Sequence, residues 1–318
     1  MSIVTGTWQG VPAVTLENDF FAATLLPTIG SNMIRMWDKV AEREILRVPD
    51  TLASIQEQPG HYGIPMMMPP NRIRHGAFEF EGRPYQLAIN TPVGHHIHGI
   101  LRTRPWIVVH TSDIDGKQTI TTQFRTTDFP ELADQYPHDL TMNVTYTLSE
   151  HGLYQEIEST NHSELSAPFG FGVHTWFRID GEPGKWTFQL PVESIWELDA
   201  DAMPTGNLLP LTALFSAMCD KGINLEGSTL DTVFQIGANP VDSVLSKSDY
   251  TIRYSASEDF KQWVIYTKGA AQDTICIEPY TWVTNAPNLP LDPSVTGMSA
   301  LAPGETRKLW IDLQISRS

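Results

Sequence analysis

Apolar and polar residues alternate with a period of two through most of this chain. The pattern is clearest in Leu140 to Leu148 and Leu153 to Thr160, which flank the turn Glu150-His151-Gly152. Each segment therefore predicts a strand with one buried face, and together they predict a hairpin. Ala77 to Leu87 alternates around Glu81-Gly82, and Trp106 to Thr111 faces Lys117 to Phe124 across Asp113-Ile114-Asp115-Gly116, giving two more hairpins. Strands are also expected at Phe20 to Leu26, after the Asn18-Asp19 turn, and at Gly30 to Trp37. In the last third they are expected at Tyr250 to Tyr254, Gln262 to Thr267, Thr274 to Glu278 and Lys308 to Ile315. The β pattern resumes from Trp186 to Trp196, and Pro204-Thr205-Gly206-Asn207 is expected to break it.

Helical periodicity is scarce. Pro49 to Pro59 has some helical character, Phe129 to Pro137 has room for one turn or two, and Leu211 to Cys219 fits strand or helix equally. From His61 to Pro70, Gly63, Pro65, Pro69 and Pro70 forbid a long helix and leave an irregular segment. Many strands, few short helices and dispersed Gly and Pro argue for an all-β, antiparallel β-sandwich architecture. No linker, low-complexity tract or short repeat divides the chain, so one domain is expected over residues 1–318.

Composition narrows the partners. The formal net charge is -16 and no Lys/Arg-rich run occurs, so nucleic acid or an anionic membrane surface would be repelled and a small molecule fits better. No apolar run approaches the roughly 20 residues that span a bilayer, and the start lacks the regions of a signal peptide, which leads to the expectation of a cytoplasmic protein. Cys219 and Cys276 are the only cysteines and read as reduced core residues. Zinc is not expected, because neither C-x-x-C nor H-E-x-x-H spacing occurs.

Four segments carry candidate chemistry. Arg72, in the loop Asn71-Arg72-Ile73, could donate several hydrogen bonds to the oxygens of a polyol, although a lone arginine is also a common surface charge. His98 ends the cluster His95-His96-Ile97-His98, and Gly99 after it would permit close approach of backbone to a ligand; a structural histidine in a polar turn is the plain alternative. In Phe169 to Phe177, alternation places Gly170, Gly172, His174 and Trp176 on one face, a bare strip beside an imidazole and an indole that suits a sugar ring. Glycines relieving a crowded core are the other reading. Glu278, at the end of an apolar strand before Pro279, should be partly desolvated and more basic than usual. Asp231, before Thr232-Val233-Phe234, is a further carboxylate or simply a turn residue.

In this order the segments resemble the aldose 1-epimerases, or galactose mutarotases. The first half carries Asn71-Arg72-Ile73 with Gly76 and Phe78, then Tyr85, Leu87, Asn90 and His98-Gly99. The second carries His174-Thr-Trp-Phe, Asp231 with Phe234, Ile277-Glu278-Pro279-Tyr280, Thr284-Asn285-Ala286-Pro287-Asn288 and Leu301-Ala-Pro-Gly-Glu305. The resemblance implies the galactose mutarotase-like supersandwich and a cofactor-independent isomerase that opens and recloses a hexose hemiacetal. Carried over residue by residue, it makes Glu278 the base, His174 the acid and His98 an assistant. It makes Arg72, Asp231, Asn71 and Trp176 sugar contacts, with no metal and no cofactor, and leaves room for a homodimer. A bell-shaped pH dependence is expected, with Glu278 ionised and His174 protonated. Arg102, Arg104 and Arg178 add cations near these segments, an arrangement also similar to hexose-6-phosphate epimerases; the preferred reading is that they neutralise acidic neighbours. A non-catalytic sugar-binding module on the same fold is the other alternative.

Overall fold

The computed structural model describes residues 2–237, 242–269 and 273–317. Two large antiparallel sheets face one another. The first, nine-stranded, runs Ile107–Ile114, Lys117–Arg125, Leu140–Leu148, Gly152–Asn161, Thr306–Arg317, Tyr250–Ala256, Asp242–Lys247, Thr187–Gln189 and Ile223–Asn224. The second, eight-stranded, runs Pro204–Leu209, Ser194–Leu198, Asp231–Gln235, Gln262–Tyr266, Thr274–Tyr280, Gly172–Val173 and Met66–Met67, with Thr175–Arg178 paired to Thr274–Tyr280 beyond this path. Ser2–Trp8 to Arg43–Glu44 form a separate five-stranded meander. The fold is thus an all-β antiparallel sandwich with three short α-helices among the described residues.

The alternation in the sequence is what closes the sandwich. Leu140, Met142, Val144, Tyr146 and Leu148 are all buried, while the residues between them are half-exposed. Trp263, Ile265, Ile275 and Ile277 of the second sheet join the same apolar cluster as Tyr254, Leu309 and Ile311 of the first. Each fully buried aliphatic side chain contributes on the order of 2 kcal/mol. Thr175 Oγ1 and Tyr254 Oη share a hydrogen bond of 2.6 Å across the layers, which satisfies two polar groups that would otherwise be stranded in that core.

The expected hairpins form, at Ala77–Phe80 with Arg83–Gln86, Ile107–Ile114 with Lys117–Arg125, and Leu140–Leu148 with Gly152–Asn161. Three segments resolve differently or more sharply. The ambiguous segment near Leu211 is the helix Ala213–Asp220, capped by Thr212 Oγ1 accepting from Phe215 N. Pro130–Leu132 is a single 3-10 turn, and Leu52–Glu57 is the helix foreseen before Pro59. Pro204–Leu209 is a strand and not a break: it lies at the sheet edge, where Pro204 as first residue costs no ladder bond that matters, and Gly206 absorbs a positive φ of 100°. No helix among the described residues is long and apolar enough to cross a membrane, and both cysteines are free thiols.

Candidate active site

The strand Thr274–Tyr280 sets the geometry. Its period of two sends Ile275 and Ile277 into the core and Cys276, Glu278 and Tyr280 to the opposite face of the sheet. Glu278 is 2% exposed. It lies inside the strand and not at its tip, because pairing with Gln262–Tyr266 continues through Trp263 opposite Pro279 to Gln262 opposite Tyr280. Tyr280 Oη donates a short hydrogen bond to Glu278 Oε2.

His174 sits at the break between Gly172–Val173 and Thr175–Arg178, both paired to Thr274–Tyr280. Its backbone N donates to Pro65 O at 2.9 Å, and Trp176 N donates to Gly63 O at 3.0 Å. The irregular segment around Gly63 to Pro65 is thereby clipped to the sheet and its own polar groups are satisfied. His174 Nε2 stands 3.3 Å from Glu278 Oε2, and Nδ1 stands 2.8 Å from Cys276 Sγ. We assign the ring proton to Nδ1, donating to Sγ, since that leaves Nε2 on the carboxyl side free to take and return a proton.

Loops supply the rest. Asn71 is buried, and its Oδ1 accepts from Arg72 N at 2.8 Å and Arg72 Nη1 at 3.2 Å. The short ribbon of Arg72–Ile73 with His96–Ile97, and His98 N donating to Asn71 O at 2.9 Å, bring Arg72 and His98 together. The His98 and His174 rings meet edge to face with centroids 5.0 Å apart. Arg72, Asn71, His98, His174, Asp231 and Glu278 surround one cleft of about 210 Å³, completed by His61, Ile97, Val264 and Tyr266. Four chain segments that are far apart in sequence therefore form one site.

Trp176 is the expected site residue that does not line it. The indole is 0% exposed; His61, Tyr266 and His174 pack against it, and Nε1 donates to Gly60 O at 2.7 Å. It braces His174 from behind and presents no face to a ligand. The bare strip is also absent. A Cβ on Gly170 would lie 2.0 Å from the Trp282 ring, and one on Gly172 would lie 2.4 Å from Tyr280, so these glycines make room for protein aromatics. Gly99 likewise admits backbone and not ligand: its Cβ would fall 2.2 Å from Met68 O. His95 and His96 are structural. His95 Nδ1 accepts from His75 N, and His96 Nδ1 contacts Ala88 O.

Sequence reasoning missed four neighbours of the Glu278–His174 pair: Cys276, Tyr280, His61 and Tyr266. Strand parity could have found the first two, since they lie two residues either side of Glu278. His61 and Tyr266 belong to elements whose approach only the tertiary fold reveals.

Burial dominates the electrostatics. Desolvation pushes Glu278 up to about 8, against the hydrogen bonds from Tyr280 and Cys276, which favour the carboxylate. Desolvation also drives His174 down to about 3 and His98 well below the usual histidine range. Near neutral pH the pair therefore holds one proton, as carboxylic acid and neutral imidazole. His174, Cys276 and Glu278 also bring nitrogen, sulfur and oxygen ligand atoms within 4.8 Å of one another. That donor set suits a borderline divalent ion, but the ring nitrogens already face Sγ and the carboxylate, and an ion would displace one of these contacts.

Comparison with known proteins agrees with this architecture. The galactose mutarotase-like protein of Clostridium acetobutylicum superposes with a TM-score of 0.94 at 24% identity, covering 100% of this chain and 99% of that one. Galactose 1-epimerase of Lactobacillus acidophilus NCFM gives a TM-score of 0.79 at 17% identity, with coverage of 100% and 98%. YihR of Escherichia coli K12, an uncharacterized protein, is 26% identical over 305 residues, 94% of this chain and 92% of YihR. The family model for aldose 1-epimerase matches residues 12–314, so the chain belongs to the aldose 1-epimerase family.

Proposed function

We propose that this protein interconverts the α and β anomers of an aldose. The observation that carries the reading is the Glu278–His174 pair, 3.3 Å apart at the floor of a cleft sized for a single small molecule. Ring opening needs a base to take the C1 hydroxyl proton and an acid to protonate the ring oxygen. Glu278 takes the first role and His174 the second. The proton held on the carboxyl passes to Nε2 as the sugar binds, leaving carboxylate and imidazolium; after rotation about C1–C2, reclosure runs both transfers in reverse. His98 has a buried, unpartnered Nδ1 and supplies a contact to the ring oxygen or a neighbouring hydroxyl. Arg72 and Asp231 hold hydroxyls, and Asn71 fixes the Arg72 guanidinium. Neither transfer calls for a cofactor.

The test is the change of optical rotation in freshly dissolved α-D-glucose and α-D-galactose, with wild type, Glu278→Gln and no protein run in parallel. Acceleration by wild type that vanishes in the variant is the expected result. Sugar binding without acceleration would leave the fold as a non-catalytic sugar-binding module.

A further inference from the structure

Two hairpin turns of the nine-stranded sheet, Asp115-Gly116 and Ser149-Glu150-His151, and the turn Asn18-Asp19-Phe20 of the meander meet around a second hollow. Its volume is about 770 Å³, against about 210 Å³ for the cleft, and among the described residues the two share no wall. Strand parity explains what it displays. Buried Ile120, Leu148 and Leu153 take the core side of three adjoining strands, which leaves Thr119, Thr147 and Tyr154 on the other side. Register sets these in one row across the sheet, Thr119 opposite Thr147 and Thr147 opposite Tyr154. The Tyr154 ring is held against Trp310, with centroids 6.2 Å and planes 25° apart, and both rings are half-exposed. Phe20, also half-exposed, adds another ring to the wall.

Asn18 marks this hollow as more than a gap between turns. It lines the hollow and is 3% exposed. Its Oδ1 accepts from Phe20 N at 2.9 Å and Phe21 N at 2.8 Å, which fixes the amide plane, and its buried Nδ2 has no partner among the described residues. A donor held in place and left unmet is relieved by a ligand oxygen. The charges are mixed: Asp115 and Glu150 stand with Lys117 and His151, the last 3.7 Å from Glu150, so neither a cation nor an anion is selected. Strand addition by a peptide does not fit either, because Lys117–Arg125, Leu140–Leu148 and Gly152–Asn161 are each paired on both sides and offer no free backbone edge.

We infer that this hollow is a second binding site, separate from the cleft, for a neutral oligosaccharide of two or more rings. Ring faces at Phe20 and Tyr154 cover the C–H patches of such a ligand, while the threonine hydroxyls and Asn18 Nδ2 take its oxygens. The inference does not depend on the epimerase reading.

NMR titration of the full chain, labelled with heavy nitrogen and read at the Asn18 side-chain amide and the Gly116 backbone amide, tests this with maltotriose, cellotriose, glucose and inorganic phosphate. At least one trisaccharide should move both signals and bind about tenfold or more tightly than glucose. Tyr154→Ala should weaken that binding by about tenfold, whereas Tyr154→Phe, which keeps the ring, should stay within about threefold of wild type. Asn18→Asp retains the oxygen that holds the Phe20 and Phe21 amides but loses the donor, and should weaken binding by about tenfold as read at Gly116. Anomer exchange of glucose should be the same in Tyr154→Ala as in wild type, since the two sites are separate. No movement of these signals by either trisaccharide at about 10 mM would overturn the inference. So would phosphate moving them more than the sugars, or trisaccharide binding undiminished in Tyr154→Ala. If Asn18→Asp does not fold, the two Tyr154 variants decide.

Discussion

Cys276 Sγ and His174 Nδ1 lie 2.8 Å apart, His174 standing just before the strand Thr175–Arg178, in which Trp176 sits opposite Cys276. The thiol is held protonated, well above its usual range, by burial and by Glu278. It therefore acts as a fixed acceptor that turns the imidazole and does not compete as a nucleophile. Cys276→Val should lower kcat by about tenfold with KM nearly unchanged, since a lost ring orientation affects proton transfer more than sugar binding. Cys276→Ser should stay within about threefold of wild type, because the hydroxyl keeps the acceptor. A Val variant matching the Ser variant in steady-state kinetics would show that the contact plays no part in catalysis.

The pH profile follows from the two buried groups. Below about 3 both His174 and Glu278 are protonated and the base is lost; above about 8 neither holds a proton and the acid is lost. In between, the pair carries one proton and can present carboxylate and imidazolium to the sugar. The profile of kcat/KM should therefore be level through the mildly acidic and neutral range and fall as pH passes about 8. The bell expected from the sequence is thus broader than the one unperturbed groups would give. Stopped-flow polarimetry in a series of buffers decides between them, and a midpoint near the usual histidine value would contradict the buried pair.

Glu278→Gln should separate activity from stability. Loss of the base should cost roughly 10²- to 10⁴-fold in rate. The folded-state value is raised from 4.5 to about 8, so the carboxyl's contribution to stability is intact below pH 4.5 and is lost as pH rises through about 8. The amide has no such loss. The variant should consequently gain on wild type as pH increases, by up to a few kcal/mol at about 1.4 kcal/mol per unit. Urea unfolding of both proteins on either side of this range measures it, and a variant that is relatively weaker at high pH would refute the burial argument.

Gly170 tests the packing beneath the site. An added methyl would meet the buried Trp282 ring at 2.0 Å, so Gly170→Ala should destabilise the protein by about 1–3 kcal/mol. Equal urea midpoints for the two proteins would show that the ring can yield.

Much of this architecture was legible in the chain because strand alternation and core burial are the same fact seen twice. Leu140 to Leu148 declares its inner face in every second residue. The order of Arg72, His98, His174, Asp231 and Glu278 carried the resemblance to one family, and the five side chains do line one cleft. Trp176 shows where such reasoning stops. Parity placed it on one face with His174, where pairing also puts Cys276, but parity cannot show that His61 and Tyr266, from elsewhere in the chain, would cover it. The glycines misled for a related reason: a missing side chain marks a close approach without naming what approaches. Nor could residue type distinguish Arg102 from Arg104, two residues apart, of which only the second is ion-paired to a carboxylate among the described residues.

The strand Thr274–Tyr280 ties chemistry to folding in one register. Slipping it by one residue against Gln262–Tyr266 would turn Ile275 and Ile277 outward and drive Cys276, Glu278 and Tyr280 into the core. The reacting pair therefore cannot be displaced without dissolving the sandwich itself. Under the proposed reading, variation in what the site accepts falls instead to the segments that bring His61, Arg72 and His98, so a change of substrate can proceed there while Glu278 and His174 stay fixed.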